Sequence, residues 1–282
     1  MDGYSTSMPI PSPALADEIA ARLAIARTAG LEAGRLTLRS FQTTNFQIEK
    51  KSDDSPVTIA DRSAEQLLRE RIAAAFPSDS ILGEELGTTD GTSGFRWILD
   101  PIDGTKSFIH GVPLYGTLVA VEHEGRAVVG LVFMPGLEEG VFASFGQGAW
   151  HFRGSSQPER VSVSTRARLS DGLFVTSQVD TYAKRGAAAA FDALQQAAYI
   201  TRTWGDCYGY LLVATGRAEL MVDPILNVWD AAAVQPIIEE AGGTFTDWQG
   251  TATIHAGEAI ATNGRVLAEV LSVTRGCRSL TP

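Results

Sequence analysis

The chain has 282 residues, 44% of them hydrophobic and 20% charged, which is enough apolar material to fill the core of one large domain or two packed ones. A formal charge of −10, from 33 acidic against 23 basic side chains, argues against nucleic acid and anionic membrane surfaces as partners. Cys207 and Cys277 are too few for a disulfide framework, so a reducing cytoplasm fits best. The N-terminus lacks the apolar core of a signal peptide, and no uninterrupted apolar run reaches membrane-spanning length.

Residues 1–13, rich in Ser, Pro and Gly, read as a flexible tail. Ser12-Pro13 then opens a helix whose apolar stripe is Leu15, Ile19, Leu23 and Ala26. A second helix follows Asp61, with Ala64, Leu67, Leu68, Ile72 and Ala75 inward and Pro77 just past its end. Ser80-Ile81-Leu82 and Trp97-Ile98-Leu99 are short apolar runs that suit buried strands. Residues 115–134 predict a hairpin with Glu124-Gly125-Arg126 at its tip, and 141–152 another strand pair. A polar stretch, Arg153-Gly154-Ser155-Ser156, places a boundary near residue 155. Beyond it strands (172–177, 218–222, 258–262) alternate with helices (181–198, 206–215, 229–241, 264–274).

The chemistry concentrates in Asp100-Pro101-Ile102-Asp103-Gly104-Thr105-Lys106-Ser107-Phe108. An apolar strand runs straight into Asp100, and Pro and Gly then force a turn. Two carboxylates three residues apart in such a turn can converge, with the Ile102 carbonyl free to point the same way. Hard oxygen donors of this kind suit Mg²⁺ or Mn²⁺. Gly104 and Thr105 begin a short helix whose unpaired N–H groups form a phosphate cradle. A single Asp-Gly pair would read as an ordinary capped turn. Further acids after apolar runs shift that balance: Glu84 and Glu85 after Ile81-Leu82, Asp61 closing Ser55 to Ala60, and Asp230 in Trp229-Asp230. An acidic chain repels an anionic substrate, and divalent cations held by clustered carboxylates resolve the conflict. His110, His123, His151 and His255 form no cluster, so a histidine nucleophile is not indicated.

Asp-Pro-Ile-Asp-Gly-Thr, preceded by Gly-Glu-Glu and followed by the late Trp-Asp, resembles the inositol monophosphatase family of metal-dependent sugar phosphatases, from about residue 50 to residue 245. The resemblance implies a layered αβαβα sandwich, an α+β or α/β fold of the inositol monophosphatase and fructose-1,6-bisphosphatase type. Residues 14–155 would form the metal-binding half, and 156–282 would supply the substrate pocket and last ligand. It also implies a homodimer and a Mg²⁺-dependent phosphomonoesterase acting on a small phosphorylated metabolite. Glu84, Asp100, the carbonyl of Ile102, Asp103 and Asp230 would bind two or three Mg²⁺ ions, with Asp100 bridging and Mn²⁺ a substitute. Gly104 and Thr105 would hold phosphate, and Thr105, hydrogen-bonded to Asp61, would orient the attacking water. Lys51 would sit near the third metal, its neighbour Lys50 being the competing assignment, and Glu85 would stand behind the ligands.

Specificity must come from elsewhere in the pocket. Thr203-Trp204-Gly205-Asp206-Cys207-Tyr208-Gly209-Tyr210 and Val222-Asp223-Pro224 place Asp206 and Asp223, together with Asp230, on the leaving-group side. Acids there suit a positively charged leaving group. These stretches resemble the histidinol-phosphate phosphatase branch of the family, which implies L-histidinol phosphate as substrate. Asp206 reads equally as a helix N-cap and Asp223 as a turn residue before Pro224. Inositol 1-phosphate, several sugar phosphates or, more weakly, 3′-phosphoadenosine 5′-phosphate are the rival substrates. A partner-binding module on the same fold is the non-enzymatic alternative.

Overall fold

The computed structural model describes residues 11–43, 48–50 and 56–280, with only the backbone for 48–50 and 56–58. Helix α1 (Pro13–Thr37) starts where the sequence predicts, with the Leu15 amide donating to Ser12 Oγ and Pro13 in the first turn. A small ribbon, β1 (Ile48–Lys50) and β2 (Pro56–Thr58), leads into α2 (Ile59–Ala75). This helix begins before Asp61 rather than after it, so Asp61 is buried within its first turn.

An eight-stranded sheet comes next. It comprises β3 (Ser80–Gly83), β4 (Gly87–Thr89), β5 (Phe95–Asp103), β6 (Gly116–His123), β7 (Arg126–Met134), β8 (Glu139–Ser144), β9 (Ala149–Arg153) and β10 (Glu159–Val161). The strand order is β10-β9-β8-β7-β6-β5-β3-β4, with β3 and β5 parallel. A short helix, α3 (Thr105–Ile109), follows β5. The second sheet has five strands, β11 (Leu173–Thr176), β12 (Ile200–Arg202), β13 (Leu220–Asp223), β14 (Thr244–Thr246) and β15 (Ala259–Thr262). They lie in the order β12-β11-β13-β15-β14, with β11 parallel to both its neighbours. The remaining helices are α4 (Asp180–Lys184), α5 (Ala188–Ala197), α6 (Cys207–Ala214), α7 (Val228–Ala232), α8 (Val234–Glu240) and α9 (Leu267–Thr274).

Strand periodicity sorts these elements into layers. Side chains alternate between the faces of a sheet, and the buried residues divide accordingly. Trp97, Leu99, Val119, Val121, Leu131 and Phe133 pack with Ile19, Ala26 and Ala33 of α1 and Leu68 and Ile72 of α2. On the opposite face Ile98, Leu118, Ala120 and Val132 join Leu211 of α6, Ala232 of α7 and Ile237 of α8. The same core continues into Val175, Met221 and Ala261 of the second sheet. That sheet's far face, with Phe174, Leu220, Val222 and Ile260, packs against Leu194 of α5 and Val270 of α9. The sequence of layers is αβαβα, as the resemblance implies. Among the described residues no helix is long and apolar enough to cross a membrane.

Several elements differ from the sequence reading. The helix predicted over 181–198 is two helices, because Gly186 takes φ 77° between α4 and α5. The one predicted over 229–241 divides into α7 and α8; Pro236, just inside α8, cannot donate a backbone hydrogen bond to the preceding turn. The three-residue strands β4, β10, β12 and β14 carry too few residues to show periodicity, and β10 extends the first sheet past residue 155.

One buried ion pair ties the second sheet to its surroundings. Arg185, its side chain 1% exposed, pairs with the fully buried Glu258 and lies 3.7 Å from the centroid of Trp248. It also donates to the carbonyls of Pro224 (2.9 Å) and Arg278 (3.0 Å). Arg185→Ala leaves the Glu258 charge buried without its partner and is expected to cost about 3–5 kcal/mol of stability. Urea unfolding reads this directly, and a loss below about 1 kcal/mol, the range of an exposed pair, would show that the pair holds nothing.

Candidate metal centre and substrate pocket

In an unbroken strand Asp100 and Asp103 would point to opposite faces of the sheet. The structure avoids this with a bulge. The ladder to β6 keeps register through Asp100 opposite Leu118 and resumes only at Asp103 opposite Gly116, three steps along β5 against two along β6. One extra residue on β5 re-aims the side chains that follow it. Ile102 N donates to Asp100 Oδ1 (3.1 Å), Thr117 Oγ1 to the Pro101 carbonyl (2.8 Å) and Thr105 Oγ1 to the Ile102 carbonyl (3.0 Å). β5 therefore extends through Asp103, where the sequence reading placed a turn directly after Asp100.

Asp230 arrives from the far end of the chain, in the first turn of α7, where the Asn227 amide donates to its Oδ2 (2.7 Å). Asp100, Asp103 and Asp230 each bring one carboxylate oxygen within 4.8 Å of the others. Glu84 leaves the end of β3 with its amide on the Leu99 carbonyl (3.2 Å), and its charge acts on both Asp100 and Asp230. Its turn is fixed by the buried Glu65, which accepts from the amides of Glu85 (2.7 Å) and Leu86 (3.1 Å). Glu85 itself lies 3.7 Å from Arg62. Asp61, buried in α2, adds its charge to the field at Asp100. Lys51 lies outside the described residues, and of Lys50 only the backbone is described.

The second half closes the site from the other side. The Cys207 amide, first in α6, donates to Asp103 Oδ2 at 2.6 Å. Asp206 stands at the N-cap position but makes no capping bond, so the cap reading is not realised. Its backbone is instead at φ 51°, an uncommon conformation for a non-glycine residue. Gly205 makes this approach feasible, since a Cβ there would stand 2.4 Å from Ser177 Cα. The Asp206 carboxylate faces Gly104, whose φ is 81° and where a Cβ would come within 3.0 Å of Oδ2. Asp223 is buried and accepts from Ser177 Oγ and from Tyr210 Oη, the latter at 2.7 Å. Asp103, Ser177, Asp206, Tyr210, Asp223 and Asp230 line one small cavity of about 50 Å³. β3 and β5 run parallel, as do β11 and β13; acids lie at the carboxyl ends of β3, β5 and β13, and Ser177 follows the carboxyl end of β11. That is where open sheets with parallel strands place ligands.

Burial first, and then the charges of Glu84, Asp103, Asp230 and Asp61, push the Asp100 carboxyl well above the usual range. Burial and then the charges of Asp206 and Asp230 raise Asp103, against the pull of the Cys207 hydrogen bond. Asp230 is raised by burial to about 7 and Asp206 to about 6. Carboxylates that repel one another in a buried site favour either protons or a shared cation. The donor set is all oxygen, so the residues fit a hard divalent ion. The histidines stand apart from these acids: His151 pairs with Glu139 (2.8 Å), His255 lies 3.4 Å from Glu122, and His110 is exposed at the end of α3.

The sequence profile of the Inositol monophosphatase family matches residues 19–278. The chain belongs to that family. It is 44% identical over 245 residues to the histidinol-phosphatase of Chlorobaculum parvum, covering 87% of this chain and 93% of that protein. Against the histidinol-phosphatase of Mycobacterium tuberculosis the identity is 38% over 240 residues, 85% of this chain and 92% of that protein. The crystal structure of extragenic suppressor protein suhB from Bartonella henselae superposes with a TM-score of 0.82 at 29% identity, covering 90% of this chain and 98% of that one.

The family's acidic elements were visible in sequence, but three features of the site were not. These are the β5 bulge, the Cys207 amide on Asp103, and the Ser177 and Tyr210 donors to Asp223. Ser177 could have been suspected, because it follows directly on strand β11.

The raised carboxyl groups have a defined linkage sign. Their folded pKa values, about 6 for Asp206 and about 7 for Asp230, lie above the ordinary 3.8. The stability they contribute is complete below the unfolded pKa and is lost as pH rises from about 4 through 7. Metal-free protein is therefore expected to lose thermal stability across this window, and saturating Mg²⁺ to raise Tm more at pH 8 than at pH 5.5. Differential scanning calorimetry with and without EDTA checks it, and a cation increment independent of pH would count against Asp230 as a ligand.

Proposed function

We propose that the chain is a Mg²⁺-dependent phosphomonoesterase that hydrolyses L-histidinol phosphate to L-histidinol and phosphate, as a homodimer in the cytoplasm. The observation that carries the reading is the pairing of two acidic sets in one site. Asp100, Asp103 and Asp230 converge on a point, and Asp206 and Asp223 line the wall beside it. The first set suits a cation that offsets phosphate charge, and the second suits a leaving group that is itself positive. The relatives named histidinol-phosphatase, at 44% and 38% identity, support the same substrate.

Asp100, Asp103, Asp230, Glu84 and the Ile102 carbonyl would hold the divalent ions. Bound there, the cation supplies charge neutralisation at the phosphoryl oxygens and eases ionisation of a water. The chain does the rest. Gly104 and Thr105, at the start of α3, take phosphate oxygens on their amides. Thr105 Oγ1, donating to the Ile102 carbonyl, leaves its lone pairs to accept from the attacking water. Glu84 takes up the proton released, and Asp61 fixes the local field from within α2. Asp206, free of any capping duty, faces the ammonium of the leaving alcohol. Asp223 is already satisfied by Ser177 and Tyr210, so it shapes the wall and adds negative potential.

Two measurements test this. In a panel of histidinol phosphate, inositol 1-phosphate, fructose 1,6-bisphosphate and 3′-phosphoadenosine 5′-phosphate, kcat/KM for histidinol phosphate should lead by at least ~100-fold, about 2.7 kcal/mol of discrimination. Inositol phosphate turned over equally well would move the assignment to that ester, and release unaffected by EDTA would sink the metal reading altogether. Asp103→Asn should lower kcat by about 10³-fold or more, since it removes the charge and one oxygen of a ligand while its remaining oxygen can still accept from the Cys207 amide, so that circular dichroism stays native. Activity within tenfold of the parent would remove Asp103 from the site.

A further inference from the structure

A second cleft of about 460 Å³ opens beside the catalytic cavity and shares Ser177 and Asp206 with it. Its volume falls within the roughly 300–1,000 Å³ common for small-ligand sites, and the acid cluster leaves it unused. One wall is Val112 and Leu114, from the segment that follows α3; the other is Gln178 and Thr203, from the second half. Lys106 Nζ donates to Gln178 Oε1, which joins the metal-bearing half to the loop after β11 across the cleft.

The charge distribution defines what the cleft accepts. Lys106 lines the cleft, donates to Gln178 and acts on both Asp206 and Asp180, and Asp180 is in turn paired with Lys184 at 2.9 Å. The lysine is thus balanced by acids on both sides, Asp206 within the cleft and Asp180 outside it, and leaves no net positive charge for a second phosphate. Asp206 is the acid at the junction of the two cavities, held at φ 51° with no capping bond. Non-glycine residues kept in that region cost of order 1 kcal/mol or more and gather at ligand sites. The lining therefore combines an acceptor at the inner end, aliphatic side chains along one wall and hydroxyl and amide groups opposite.

We propose that this cleft is the subsite for the distal arm of the leaving alcohol, and that it takes an arm carrying a cationic or hydrogen-bond-donating nitrogen on a flat apolar ring, with Val112 and Gln178 as specificity-determining residues. The inference rests on the phosphatase reading above and adds where the non-reacting part of the ester lies. A compact ester without an arm leaves the cleft empty, so its turnover does not register the walls. Binding energy from an arm remote from phosphorus is what separates one ester from another at a shared phosphate site.

The experiment compares histidinol phosphate with glycerol 2-phosphate, which has no such arm, using the Mg²⁺-loaded protein and two variants. Val112→Trp fills the cleft from its exposed lip, and Gln178→Ala breaks the wall; both positions are at least partly open to solvent, so folding is little disturbed. Each variant should lower the ratio of kcat/KM for histidinol phosphate over glycerol 2-phosphate about tenfold, the scale of one lost contact in a pocket, with the loss falling on KM. Ratios unchanged from wild type in both variants, while wild type itself prefers histidinol phosphate, would overturn the subsite and leave the enzymatic reading standing. A wild type that shows no preference between the two esters would overturn the substrate reading, and the subsite with it.

Discussion

Carboxylates brought within 4.8 Å of one another in a largely buried site repel strongly when ionised together, and a bound cation relieves that repulsion. Everything around Asp100, Asp103 and Asp230 is arranged to make that unfavourable grouping persist until an ion relieves it. Asp100 takes the Ile102 amide, Asp103 the Cys207 amide and Asp230 the Asn227 amide. Each carboxylate thus has one backbone donor that keeps its orientation, and no basic side chain appears among these donors. A lysine or arginine in the same place would have neutralised the cluster permanently, and the site would have lost its demand for metal.

This requirement explains why the site is assembled from four strand ends and two helix starts. Strands β3 and β5 deliver Glu84, Asp100 and Asp103 at their carboxyl ends, and β11 and β13 deliver Ser177 and Asp223. Helices α6 and α7 begin at the same place and turn their free amides toward the acids. A sandwich of two sheets around a middle helical layer is an economical way to point all of these at one crevice. Rigid layers on both sides also resist the relaxation that repulsion would otherwise drive.

The sequence showed the elements whose signals are local. Apolar runs marked β3, β5, β6 and β7, the helical stripe marked α1, and Asp100-Pro101-Ile102-Asp103-Gly104-Thr105 marked the centre. What it hid depends on contacts between distant segments. The bulge in β5 exists only relative to β6, and the helix breaks at Gly186 and before Pro236 sit within otherwise continuous helical patterns. Asp206 is the clearest example. Its position before Cys207 reads equally as a helix cap or a pocket acid, and only the fold shows that it makes no capping bond while the Cys207 amide goes to Asp103, 104 positions earlier in the chain. Propensity alone could not choose between the two readings.

That arrangement bears on how one fold can serve different esters. If Asp206 capped α6, its carboxylate would be bound to the helix and lost to the pocket. Asp206 makes no such bond: its backbone, at φ 51° beside Gly205, leaves the carboxylate facing Gly104, while Asp103 accepts from the adjoining Cys207 amide. In the proposed reading the ligand set and the specificity wall are coupled through one hydrogen bond between the two halves, that of the Cys207 amide to Asp103. Changes on the leaving-group side can alter which alcohol is held while Asp100, Asp103 and Asp230 keep their places. The reverse does not hold, since moving Asp103 would remove the acceptor that fixes the start of α6 directly beside Asp206. Selectivity in this architecture is built on top of the metal cluster and depends on it.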